Sequence, residues 1–147
     1  MFQPKQILYF SEFYFKNGNT SKGKYLLILS ILENKTVVAS LPTRTNNAPS
    51  LLNKKHGCVN IDDRCFNCYL FEQGKPVCEN GFAFDLPTYI YGNQVEDYEL
   101  EIMEEVYPIK GVDYEVKGIL TNAEFTAIIQ CIINSASTKR KIKKLLQ

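Results

Sequence analysis

Residues 24–32, KYLLILSIL, place large apolar side chains on consecutive positions instead of alternate ones. Successive side chains of a strand point to opposite faces, so such a run suits a strand covered on both sides. A chain that carries it must put this segment in the middle of a sheet and supply an apolar layer for each face. Two neighbours are at hand. Residues 7–15, ILYFSEFYF, are aromatic and apolar and read as a strand. Residues 36–42 return after the short turn Glu33-Asn34-Lys35 as the partner of a hairpin. Between the first two strands, KNGNTSKG (16–23) is polar and glycine-rich and reads as an exposed, mobile loop.

The middle of the chain is less regular. Residues 43–60 hold Asn46, Asn47, Pro49, Ser50, Asn53 and Asn60 and read mostly as loop. CFNCYLF (65–71) and KPVCE (75–79) flank the loop EQG and suggest a second hairpin, with Gly74 left-handed and Cys68 facing Cys78. Pro76 cannot donate to a ladder, which makes one strand of that hairpin an edge. FAFDLPTYIYG (82–92) reads as a strand bent at Pro87, and YEVKGIL (114–120) as a last short strand. Helix is expected only at the end. Thr121-Asn122-Ala123-Glu124 has the spacing of a capping box, and Phe125, Ile128, Ile129, Ile132 and Ile133 repeat at helical spacing. Burying five such side chains contributes about 8–15 kcal/mol before ordering entropy, enough to dock the helix on a sheet. The polar stretch 134–137 interrupts the pattern. Ile142, Leu145 and Leu146 then mark a second short helix with a basic outer face, within 136–147. The 147 residues fit one domain, mainly β with C-terminal helices: a small barrel or half-barrel capped by a helix.

A formal net charge of +1 gives no global field of the kind that marks a nucleic-acid binder. The distribution is less even. Glu96, Asp97, Glu99, Glu101, Glu104 and Glu105 form one cluster, and Lys139, Arg140, Lys141, Lys143 and Lys144 another. Each reads as solvated surface, and the basic tail also suits RNA phosphates or an acidic partner. No apolar run is long enough to cross a bilayer, and MFQPKQILYF lacks the pattern of a signal peptide. Five cysteines, an odd number, then point to free thiols and a cytoplasmic protein. His56, Cys58, Cys65, Cys68 and Cys78 are soft or imidazole ligands in a short span, which raises a zinc site. The span holds a single Cys-x2-Cys, and a strand would place Cys65 and Cys68 on opposite faces. The expectation is therefore no metal and no cofactor, with the cysteines as half-buried small hydrophobes and Cys131 as helix packing.

The run Gly23-Lys24-Tyr25-Leu26-Leu27-Ile28-Leu29-Ser30, its hairpin and the Leu41-Pro42-Thr43 that follows resemble the MazF/PemK toxin ribonucleases. In that family a basic residue and a proline precede an apolar strand ending in serine, and the next strand ends in a Pro-Thr type motif. Lys117-Gly118-Ile119-Leu120-Thr121 and the helix from Glu124 to Ile133 are similar to the family's last strand and helix. The resemblance covers roughly the first 45 residues and residues 114–133. It implies an SH3-like barrel, a homodimer, a small antitoxin partner, and metal-free cleavage of single-stranded RNA. The ribose 2′-OH is the nucleophile and a cyclic phosphate is left. Lys24 matches the family's catalytic arginine and Thr43 its strand-end threonine. Where the family has Arg-Pro, this chain has Lys24-Tyr25. Arginine grips a phosphorane through two donors, whereas lysine is a point charge. Arg44, at the neighbouring strand end, supplies a second cation. Lys22, Thr45 and His56 are further candidates for contact with RNA. The apolar surface of the N-terminal strand and the long helix also suits a homodimer. Two other readings stay open: the same barrel as a non-catalytic binding or regulatory module, and a small zinc-containing interaction protein.

Overall fold

The computed structural model describes residues 1–42, 55–61 and 66–147. Its strands are β1 (Gln6–Tyr14), β2 (Thr20–Leu32), β3 (Lys35–Ser40), β4 (Gly57–Ile61), β5 (Phe66–Phe71), β6 (Thr88–Ile90), β7 (Val95–Glu99) and β8 (Tyr114–Ile119). Its helices are α1 (Leu100–Val106), α2 (Asn122–Asn134) and α3 (Arg140–Leu146). The doubly apolar run lies where its pattern requires. It forms most of β2, the central strand of an antiparallel five-stranded sheet of order β7-β3-β2-β1-β8. The mainly β class with C-terminal helices is as expected, and the sheets do not close into a barrel.

Leu26 and Ile28 join Leu8, Phe10 and Val38 on one face of this sheet, against Met103 of α1 and Tyr107 and Tyr114. Leu27 and Leu29 join Ile7, Val37 and Ala39 on the other. The β2–β3 register slips between Ile28 and Ser30, so Leu29 is the extra residue of a bulge. The second face is covered by a smaller sheet of order β4-β5-β6, through Tyr69, Phe71 and Ile90. Ile128 and Ile132 of α2 and Ile142 of α3 close the same layer. Each of these side chains contributes roughly 1.5–3 kcal/mol by leaving water.

Several expectations are corrected. β2 begins at Thr20, inside the stretch read as loop, because Phe15 to Asn19 already make the turn: the Asn19 carbonyl accepts from the Phe15 amide at 2.8 Å. β4 lies within the segment read as loop and pairs with β5. The 65–71 run therefore finds partners in β4 and β6, not in 75–79. Gly74 does take a left-handed conformation, φ 77°. The chain after it crosses to β8 instead, where Cys78 bridges Leu120 and the Thr121 amide donates to the Val77 carbonyl at 3.1 Å. Cys68 faces Val59, not Cys78. The strand expected over 82–92 shrinks to β6, beyond the bend at Pro87. The acidic run is not merely solvated surface: it makes edge strand β7 and helix α1. Helix is thus not confined to the end. Most apolar side chains of β1 and α2 are covered within the chain, and the large apolar residues left exposed include Tyr14, Ile102, Val106, Ile109 and Val112. Among the described residues no helix is long and apolar enough to cross a membrane.

The cysteines depart most from expectation. Cys58 of β4 is joined to Cys131 of α2 by a disulfide, their Cα atoms 5.6 Å apart and their positions 73 residues apart in the chain. Cys131 is therefore more than packing, and the free-thiol reading holds only for Cys68 and Cys78 among the described residues. Without β4 in the sequence reading, nothing brought Cys58 near the helix. A closed loop of this length restrains the unfolded chain by about 4 kcal/mol. Calorimetry with and without dithiothreitol should show the melting temperature fall by about 5–15 °C on reduction. Unfolded, unreduced protein should titrate three thiols, since two of the five cysteines are joined. A count of five would show that the bond does not form.

Candidate functional site

An open groove of about 400 Å³ runs over the first face of the large sheet, with Lys24 and Leu26 of β2 in its wall. Val38 and Ser40 of β3 continue that wall to Pro42, the last described residue before the segment 43–54. The β1–β2 turn contributes Lys16, Asn17 and Asn19. Asn93 and Gln94 come from a 3-10 turn, Gly92–Gln94, and Glu96 and Tyr98 from β7. The groove thus combines cations, side-chain amides, one carboxylate and two aromatic residues, Phe15 and Tyr98.

Charge holds these segments together. The Lys16 ammonium lies 3.1 Å from Asp97 Oδ1 and 5.8 Å from the centre of the Tyr98 ring. Lys141 of α3 reaches the same Asp97 oxygen at 3.2 Å. Lys139, just before α3, pairs with Glu96. Burial alone would push the Asp97 carboxyl up, but hydrogen bonds from Lys16 and Lys141 outweigh it and hold the group below its usual range. The turn from α2 into α3 seats against Gly92 at the groove rim. A Cβ there would stand 2.9 Å from Ser135 Oγ and 3.0 Å from Ser137 Oγ, so only glycine allows the approach. Thr138 fixes the turn by donating to the Ile132 carbonyl at 2.8 Å.

Lys24 is therefore a half-buried residue of β2 inside the groove. Lys22 lies two residues earlier on the same strand, exposed and paired in register with Glu12 of β1. Thr43, Arg44 and Thr45 lie outside the described residues, and so does Cys65. His56 is elsewhere. It packs against Tyr69 and Phe71, which belong to the layer on the opposite face of the large sheet. Its Nδ1 accepts from the Glu72 amide at 3.0 Å, so Nε2 carries the proton and donates to Glu124. The Tyr69 hydroxyl donates to the same Glu124 oxygen at 2.9 Å. Both ring nitrogens are engaged, and the imidazole works as a tie between β4, β5 and α2. Half of the expected capping box forms: Thr121 Oγ accepts from the Glu124 amide at 3.3 Å, while the Glu124 carboxylate turns to His56 and Tyr69.

The zinc alternative loses Cys58 to the disulfide. Among the described residues no three His, Cys, Asp or Glu side chains gather to hold a metal ion. Burial pushes the thiol of Cys68 up to about 11 and that of Cys78 up to about 12, where the Glu124 charge adds to it. Neither is a thiolate nucleophile near neutral pH. No protein-family model matches the chain, and no curated protein or solved structure matches it.

Sequence reasoning missed the Lys16–Asp97–Lys141 and Lys139–Glu96 pairs. The signal was present as an acidic run and a basic run of similar size, but it needed β7 to place the acids on an edge beside α3. Because the folded Asp97 pKa lies below its ordinary value of 3.8, its charge stabilises the fold above that pH. The contribution fades as pH falls through the lowered value. Melting curves of Asp97→Asn should therefore lie below wild type at pH 6 and converge on it towards pH 2. An offset that persists unchanged at pH 2 would show that the charge is not what matters.

Proposed function

We propose that the protein is a toxin-type endoribonuclease that cleaves single-stranded RNA in the Lys24 groove. The observation that carries this reading is the placement of Lys24 inside a groove with Lys16, side-chain amides and Tyr98. Single strands are held by cations that meet the phosphates and by rings on which bases stack. Pro42 lines the same groove and is followed directly by Thr43 and Arg44, the other residues that the MazF/PemK resemblance singles out. In this reading the ribose 2′-oxygen attacks phosphorus and gives up its proton. The bond to the 5′-oxygen breaks, that oxygen takes a proton, and a 2′,3′-cyclic phosphate remains. Lys24 and Arg44 stabilise the charged phosphorane, and Thr43 positions the phosphate. A small antitoxin and a homodimer belong to the reading as the resemblance implies them.

One observation favours a second reading, the same fold as an RNA-binding module without catalysis. The described groove residues include a carboxylate, Glu96, but no imidazole, and His56 is committed elsewhere.

Cleavage of end-labelled single-stranded RNAs, with EDTA present and end groups identified, separates the two. Lys24→Ala should lower the rate by about 10²–10³, the usual effect of removing one phosphorane donor. RNA binding should weaken far less, since one phosphate contact is a small part of ground-state affinity. Lys24→Arg should keep or raise activity. Binding without any cleavage by the wild type would establish the second reading. Equal cleavage by wild type, Lys24→Ala and Arg44→Ala would remove the site assignment.

A further inference from the structure

We propose that the bound strand does not end at the groove but continues over the start of α3, where Lys141, Lys139 and Arg140 form a phosphate-binding track for single-stranded RNA. This rests on the reading of the Lys24 groove as an RNA site and extends it to a second, sequence-independent contact region.

The two regions are physically joined. Lys16 lines the groove, and Lys141 stands beside it because both ammonium groups hold the same Asp97 oxygen. Glu96 also lines the groove and carries Lys139 on its outer side. Exposure decides which sign a ligand meets first. The Asp97 side chain is 14% exposed, against 43% for Lys16 and 58% for Lys141. Glu96 is 27% exposed, against 45% for Lys139. The carboxylates lie beneath and the ammonium groups outermost, so the acids position the cations without covering them. Three lysines stand over two carboxylates, which leaves an excess of positive charge. Arg140 and Lys144 add to it: both are exposed, and among the described residues neither has a carboxylate partner.

The ammonium ends of these pairs are exposed, so salt and competing anions screen their hold on the carboxylates. An ammonium group can therefore exchange part of its hold on Asp97 or Glu96 for an incoming phosphate at small cost. A lysine row serving only to dock α3 would need no outward excess of charge. A row serving a nucleic acid needs just that, because affinity for a charged strand comes from displaced counterions. The groove sets amides and aromatic rings beside its cations. The side chains at the start of α3, Lys139, Arg140 and Lys141, are all exposed cations, so they should add affinity without adding sequence preference.

Length of the strand is the discriminating variable. The probes are oligouridylates with every 2′-hydroxyl methylated, which cannot be cleaved, in a tetranucleotide and a hexadecanucleotide form, read by fluorescence anisotropy over a salt series. Wild type should bind the long probe at least about 10-fold more tightly than the short one, since added phosphate contacts raise affinity steeply at low salt. The triple variant Lys139→Gln, Arg140→Gln, Lys141→Gln should bind the tetranucleotide as wild type does and lose the gain with length. Its slope of log affinity against log salt on the long probe should be shallower by about 2, at about 0.7 per phosphate contact removed. Lys141→Arg keeps the charge and should keep the wild-type slope, and unchanged tetranucleotide binding by the triple variant guards against a folding defect. Long-probe binding by the triple variant equal to wild type overturns the track, and so does a wild type with no gain from length. If the long probe depends on the α3 residues while the tetranucleotide does not bind, the track stands and the groove reading falls. Binding of neither probe overturns both.

Discussion

The burial of β2 on both faces is the constraint from which the rest of the architecture follows. A strand with Leu26 and Ile28 on one side and Leu27 and Leu29 on the other cannot stop at a single sheet. It demands a layer above and a layer below, and this chain meets the two demands with different material. One face receives aromatic side chains and the short helix α1. The other receives a second sheet and the two C-terminal helices. The groove arises at the place where the first cover is incomplete. It lies over Lys24 and Leu26 of β2 and Val38 and Ser40 of β3, between the β1–β2 turn and the 3-10 turn that precedes β7.

Electrostatics then decides what that patch can do. The same Asp97 that terminates the sheet on its β7 edge gathers one cation from the first hairpin and one from the last helix. An edge strand bearing charged side chains also resists pairing with another sheet. Acidic residues thus do two things at once here: they blunt an edge and they present lysines outward. On the far side of the sheet, Glu124 does the opposite. It turns inward, takes hydrogen bonds from His56 and Tyr69, and ties the small sheet to α2.

How much of this was legible follows from which interactions are local. β1, the core of β2, β3, β8 and α2 could be read because period, capping and turn residues lie within a few positions of one another. The capping threonine and the buried Ile128 and Ile132 are where the spacing put them. β4, β7 and α1 could not: each is only five to seven residues long, charged residues interrupt the pattern of β7 and α1, and each takes its shape from a partner strand or from the sheet it covers. The second hairpin failed for a related reason. CFNCYLF is a good strand with two possible neighbours nearby, and the choice between KPVCE and β4 depends on where distant segments lie. For the site, Lys24 was visible as a cation at the mouth of an apolar strand. The α3 lysines were visible as the basic face of a short helix, but not their approach to the groove, because that connection passes through long-range ion pairs. His56 was read as a candidate RNA contact, and its structural role was not legible because its two partners, Glu72 and Glu124, are 16 and 68 positions away.

The covalent tie between Cys58 and Cys131 makes the consequences of a broken backbone depend on where the break falls. A peptide bond cut anywhere between these two residues leaves a single molecule, with its ends held by the disulfide. A cut between β3 and Cys58 behaves differently. It separates a piece carrying β1, β2 and β3 from one carrying β7, β8, α1, α2 and α3, with no covalent bond between them. What remains is the hydrogen bonding of β1 to β8 and of β3 to β7, together with the apolar layers on both faces of β2. The central strand of the protein would then belong to one fragment and both covers of that strand largely to the other. Neither piece could bury its apolar surface alone, so each would be the other's folding partner.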